Sequence, residues 1–193
     1  MRTIAILCFV WMTLITLAAA QSRIQAGVFL DALSISQTGT TNLGLGARFG
    51  YRVHPAVMLE GELAYDYGLN FSEAFRNVSS GNIAAIEHTQ IGVTHGMIGP
   101  KLQRVHGRLL PFVTAKAGFI DFRLSPSLLP HVDYISPILN LRTSSVNAVF
   151  YPAAGVEAVL GPLGLRLEAG DEMYFNRGTH SNLRITFGPI LRF

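Results

Sequence analysis

The triplet His180-Ser181-Asn182 is the first place to look for chemistry, because a hydroxyl beside an imidazole can supply a nucleophile and its general base. Adjacent residues of a strand point to opposite faces, however, so the two groups would not meet without distortion. No acidic residue follows Glu172 to orient the base. The triplet reads as a polar loop tip leading into the last strand. Glu60 and Glu62 share one strand face, and paired carboxylates can do acid–base work; their setting favours a role as partners of buried cations. The histidines (54, 88, 95, 106, 131 and 180) contain no i, i+2 or i, i+4 pair. That spacing gives no metal-ligand signature, and His54 and His106 read as turn residues. Gly44-Leu45-Gly46 lacks the following helix that a phosphate loop needs. Asn77-Val78-Ser79 has the form of a glycosylation acceptor but reads as a loop. No catalytic residue, cofactor or metal is expected from these patterns.

The elements that would position any site follow from composition. Only 14% of the 193 residues are charged, against about 25% in an ordinary soluble domain, and 49% are apolar. Disorder requires the opposite balance. The net charge of +3, with no run of Lys or Arg, gives no electrostatic footprint for nucleic acid. Residues 1–20 have the parts of a secretory signal peptide: Arg2, an uncharged apolar run from Ile4 to Leu17, then Ala18-Ala19-Ala20. The run is shorter than the roughly 20 residues a spanning helix needs. Cleavage before Gln21 leaves 173 residues without cysteine or tryptophan, Cys8 being in the apolar run. A disulfide scaffold, a Cys-ligated zinc site and a thiol nucleophile are thereby excluded from residues 21–193.

Residues 21–193 alternate with a period of two. Leu43, Leu45, Ala47, Phe49, Tyr51 and Val53 fall on one parity, and Gly44, Gly46, Arg48, Gly50 and Arg52 on the other. The same pattern runs through 57–69 and 182–193. Such alternation separates two strand faces. Runs of this length exceed a typical globular strand and match the roughly 9–11 tilted residues that cross a bilayer. The template predicts eight strands at about 25–36, 42–53, 57–69, 88–102, 109–122, 147–160, 164–175 and 182–193. Connections at 54–56, 103–108 and 161–163 are short. Those at 37–41, 70–87, 123–146 and 176–181 are longer or more irregular, as in an outer-membrane barrel. The expected fold is all-β: an eight-stranded antiparallel up-and-down transmembrane β-barrel over residues 21–193, with both termini at the short-turn, periplasmic end.

A sheet can span lipid only when closed, because every backbone polar group must be paired within the protein. Charge then sets its orientation. The polar parity carries Arg48, Arg52, Lys101, Lys116, Arg166, Arg184 and Arg192, facing Glu60, Glu62, Asp66, Glu157, Glu168 and Glu172. An eight-stranded barrel has an interior just wide enough to fill with side chains. A balanced lumen network of these thirteen residues would fill it, with Gly44, Gly46, Gly50, Gly118, Gly155 and Gly188 leaving room. Interfacial aromatic girdles are expected from Tyr51, Phe112 and Phe193 at one rim, and Tyr65, Tyr67, Phe122, Phe150 and Phe175 at the other. Asp171 has outward parity and predicts a bulge or a rim position. Pro152 predicts a strand end or bulge. Asp31 and His95 sit in strands of weak alternation and take no assigned face.

The stretch Asn182–Phe193, with alternating apolar residues and a terminal Phe, resembles the final strand of small bacterial outer-membrane β-barrels. Gly99-Pro100-Lys101, Pro111-Phe112-Val113 and Gly155-Val156-Glu157 are similar to the β-barrel domain of OmpA/OmpX-like proteins, in the wider porin family. The resemblance implies export to the outer membrane of a Gram-negative-type cell, contact with membrane lipids and lipopolysaccharide, and no nucleic-acid partner. It also implies that Phe187, Leu191 and Phe193 act as the C-terminal signal read by the barrel-assembly machinery. Outer-membrane lipid A deacylases, also eight-stranded, carry a His-x-Ser pair and a later Glu; here His180 and Ser181 are adjacent. The expected function is therefore non-enzymatic, structural or in surface interaction, with 70–87 and 123–146 as recognition loops for an extracellular ligand. A small porin-like channel, a lipid-modifying enzyme and a soluble lipocalin-type barrel are the alternatives; the last needs an apolar interior and a polar exterior.

Overall fold

A computed structural model of the chain describes residues 23–104, 106–125, 134–135 and 146–193. The 1–20 segment and most of 123–146 lie outside the described residues. The strands are β1 (Ile24–Ile35), β2 (Thr40–His54), β3 (Val57–Asn77), β4 (Ile83–Gln103), β5 (Leu109–Ser125), β6 (Tyr134–Ile135), β7 (Val146–Leu160), β8 (Leu163–Phe175) and β9 (Thr179–Arg192). Eight of them form the staves, each paired antiparallel with its neighbours in chain order, and β1 pairs with β9 to close the barrel. The two-residue β6 only extends the edge of β3, with Arg76 opposite Ile135. The terminal strands are clasped by their own backbones: Ile24 N–H donates to Phe193 O (3.1 Å) and Phe193 N–H to Ile24 O (2.9 Å). Both ends of the described chain lie at the short-turn end.

The structure changes four expectations. Residues 70–87 are mostly not a loop. Strands β3 and β4 run 21 residues each and stay paired out to Phe75 opposite Ala85, a hairpin roughly ten residues longer than a bilayer crossing needs. Its tip turns over Val78–Asn82, where Asn77 Oδ1 accepts hydrogen bonds from Ser79 N–H (2.9 Å) and Ser80 N–H (3.1 Å). Gly81 there takes the left-handed conformation that favours glycine (φ 70°). Two of the expected girdle aromatics, Phe112 and Phe122, point inward and are buried. They share the parity of Lys116, so a strand that turns Lys116 into the lumen must turn them in as well.

Pro152 also differs, and Asp171 differs in part. Pro152 lies in mid-strand, opposite Ala115 of β5 and without a bulge. The ladder from β7 to β8 skips Tyr151 and Pro152 and resumes at Ala153 opposite Gly170 in the same register. Pro100 and Pro189 interrupt one ladder each in the same way, because proline has no N–H to donate. Asp171 pairs with Leu183 in regular register, toward the long-loop end of its hairpin, and accepts a hydrogen bond from the Ser181 hydroxyl (2.6 Å), so of the two expectations the bulge is absent and the place near the rim holds.

Burial alternates along the staves, most regularly in β2, β8 and β9. Outward residues such as Val28, Leu45, Phe49, Leu63, Leu165, Leu167 and Ile185 are exposed, forming an apolar belt. Tyr51 and Phe193 lie near its short-turn edge. Tyr65 and Tyr67 meet edge to face, 5.6 Å apart, toward the other. A lipocalin-type barrel has the reverse distribution.

Candidate functional site

The interior is layered along the barrel axis. At the short-turn end the buried apolar side chains of Met58, Leu110 and Ile190 line it. Above them Lys101 Nζ donates to Gln25 Oε1 (2.8 Å) and Glu157 Oε1 (2.6 Å) and lies 3.1 Å from Glu60. Arg166 binds Glu60 through both terminal nitrogens and also contacts Glu157 and Glu168. Its guanidinium stacks 4.1 Å above the Phe112 ring, which explains why this aromatic turns inward. The next level joins Arg48 to Glu168 (3.3 Å) and Thr186 (2.9 Å), and Lys116 to Glu62 (2.6 Å) and Glu168 (3.2 Å). A Cβ at Gly46 would strike the Phe29 ring, over which Arg48 lies at 4.2 Å. This glycine makes room for the stack.

Arg184 binds Asp31 (2.6 Å from Nη2) and Glu62 (2.6 Å), and comes within 3.4 Å of Glu172. Beside it His95 Nδ1 lies 2.9 Å from Glu172, while Nε2 lies 3.2 Å from Asp31 and 3.6 Å from Asp66. Beyond this level the lumen becomes apolar. Leu33, Ile35, Ile91, Val93, Ile120, Phe122, Val149 and Tyr174 form one buried cluster. Asn42 donates to the Ile91 carbonyl at its margin (2.7 Å). The ionic layers are thus capped by apolar side chains at both ends.

Eleven of the thirteen expected lumen residues are buried in these layers. Arg52 and Arg192 are half-exposed at the short-turn rim, where Arg52 donates to the Pro55 carbonyl (2.7 Å). Asp31 and His95 are the lumen residues that parity missed. Their strands carry apolar residues on the inner face as well, in Phe29, Leu33, Ile35, Ile91 and Val93, so the contrast between faces disappears. A lone carboxylate in the middle of a spanning strand was the available signal, because lipid would penalise it on the outer face.

His180 and Ser181 diverge, as adjacent strand residues must. The His180 ring stacks on Tyr174 (4.8 Å) and its Nε2 lies 3.2 Å from the Asn176 carbonyl, whereas Ser181 turns to Asp171. The two do not form a nucleophile–base pair. Phe187 and Leu191 of β9, and Phe193 just after it, are exposed. Glu60 and Glu62 are each held by lumen cations.

No protein-family model matches the chain, and no curated protein sequence matches it. Solved structures share its fold. Ail, the attachment invasion locus protein of Yersinia pestis, superposes with a TM-score of 0.51 at 14% identity, covering 89% of this chain and 97% of that one. Neisserial surface protein A gives a TM-score of 0.52 at 12% identity, covering 88% and 96%. At these identities the likeness is one of fold.

Proposed function

We propose that the chain is an integral outer-membrane protein of a Gram-negative-type bacterium, non-enzymatic, with a structural or surface-interaction role. One observation carries this reading: apolar side chains cover the outside of a closed barrel whose inside is filled with paired charges and sealed by apolar caps. The belt suits acyl chains and lipopolysaccharide. The filled axis suits a scaffold better than a channel. The 1–20 segment would direct export, and Phe187, Leu191 and Phe193 would be read by the barrel-assembly machinery. The β3–β4 hairpin would present its tip, with exposed Val78, Ile83 and Ile86, to an extracellular ligand.

Planar-bilayer recording of the refolded barrel tests the sealed axis. Current should stay at baseline without stable steps; reproducible steps would install the porin-like reading instead. A second expectation concerns the hairpin. Replacing residues 74–86 by Asn-Gly should leave the boiling-dependent gel shift of the barrel intact, because the lumen layers lie below the deletion, while binding to host-cell or matrix surfaces falls. Loss of the gel shift would show that the hairpin belongs to the folding core.

A further inference from the structure

The point where Asp31, Asp66 and His95 converge is unlike the rest of the lumen. Both carboxylate oxygens of Asp66 are buried and accept no hydrogen bond, and His95 Nε2 is buried without one. Asp66 and His95 are 0% and 1% exposed. Elsewhere in the ionic layers each carboxylate is held by Lys, Arg or His95 within hydrogen-bond distance. Among the described residues Asp66 has His95 as its one cationic neighbour within 4 Å, and Nε2 is aligned on neither it nor Asp31.

Charge points the same way. Leaving aside Glu73 in the hairpin extension, seven lumen carboxylates are buried among the described residues, on Asp31, Glu60, Glu62, Asp66, Glu157, Glu168 and Glu172. The fully buried Lys and Arg side chains number five. Carboxylates therefore outnumber the Lys and Arg side chains by two, and His95 is the one further group beside them that can carry positive charge. Uncompensated charge in such an interior is costly.

We propose that Asp31, Asp66 and His95 hold one divalent transition-metal cation in the lumen, with Zn2+ the ion of best fit. The three ligand atoms lie within 4.8 Å of one another. Two ligands bound to tetrahedral zinc at about 2.0–2.1 Å stand roughly 3.3 Å apart. The separations from Nε2 are 3.2 Å to Asp31 and 3.6 Å to Asp66. An imidazole nitrogen with two carboxylate oxygens suits zinc better than calcium or magnesium, which take oxygen shells. The outer shell is also in place. With the ion on Nε2, His95 would keep its proton on Nδ1, 2.9 Å from Glu172, and Arg184 hydrogen-bonds the Asp31 carboxylate. A Cβ at Gly44 would overlap the Asp66 carboxylate, so that glycine keeps Asp66 in position. The apolar cap seals the site, so the ion enters as the barrel closes.

The test is refolding of residues 21–193 in detergent with Zn2+, with Co2+ or with EDTA, each product checked by its gel shift before and after boiling. One equivalent of zinc should remain after desalting, the melting temperature should rise by about 5–10 °C over the EDTA product, and Co2+ should give the visible absorption of a four-coordinate site, with the second unpartnered Asp66 oxygen as the fourth donor. Glu172→Gln should weaken zinc about 10–100-fold, and Asp66→Asn at least as much. The wild-type Co2+ spectrum decides the matter even where a variant does not fold. A folded wild type with no retained zinc and equal melting in zinc and EDTA would overturn the site, as would a doubly protonated His95 seen by NMR in the presence of zinc.

Discussion

Replacing Arg166 by methionine should destabilise the folded barrel by about 3–5 kcal/mol, the cost of leaving buried carboxylates without their counter-charge. Arg166 is 2% exposed and contacts Glu60, Glu157 and Glu168. Methionine keeps much of the volume against Phe112 and removes the charge, so packing loss is a minor part of the change. Lys101 still reaches Glu60 and Glu157, and Lys116 still reaches Glu168, but no remaining cation bridges all three. The Arg166→Met/Glu60→Gln double variant should recover part of the loss, with a coupling of about 0.5–3 kcal/mol. Arg52→Met at the half-exposed rim supplies the contrast, with an expected change within about 0.5 kcal/mol. Urea unfolding in lipid vesicles, followed by the gel shift, measures the wild type, the three variants above and the Glu60→Gln single variant that closes the cycle. Equal midpoints for Arg166→Met and Arg52→Met would mean that the lumen is hydrated enough to screen its charges.

How far this arrangement could be read from sequence depended on whether lipid enforced a contrast between faces. In β2, β8 and β9 the outside is apolar and the inside largely charged or small, so parity alone placed Arg48, Arg166, Glu168 and Arg184. In β1 and β4 the inner face carries Phe29, Leu33, Ile91 and Val93. An apolar cap inside the barrel looks the same as a belt outside it, and Asp31 and His95 lost their assignment with it. Above the apolar belt the rule lapses altogether. The hairpin places Ser72 and Arg76 outward and buries Glu73 and Phe75, while its exposed Ile83 and Ile86 fall on opposite parities, so no alternating apolar face marks it and sequence patterning reads it as a loop. Prolines misled for a related reason. Pro152 loses one ladder bond in mid-strand, but every stave of a closed barrel is held on two sides, so a single gap is tolerated without a bulge. Metal spacing was invisible because Asp31, Asp66 and His95 come from three different strands, brought together by closure alone.

The sharpest consequence of an outward belt is a profile of cost against depth. Leu59, Leu63 and Tyr67 lie on the outward face of β3, four residues apart, and are 45%, 57% and 54% exposed. In water these would be three similar surface positions, and arginine at any of them would change stability by no more than about 0.5 kcal/mol. In a bilayer they sample different depths. A strand rising about 3.3 Å per residue and tilted about 40° moves roughly 20 Å along the membrane normal over eight residues, most of an apolar band about 25 Å tall. Leu63→Arg, in the middle, should therefore cost about 2–4 kcal/mol, and Leu59→Arg and Tyr67→Arg about 0–1 kcal/mol beyond the packing each loses. The neighbouring Ala64 faces the lumen, so a slip of one residue in β3 would exchange the two environments and abolish the profile. Urea midpoints in vesicles measure the three costs, and the same three variants in detergent micelles should show a flatter series because a micelle deforms around the charge. A flat series in vesicles would remove the lipid from the outside of this barrel and make it a soluble one.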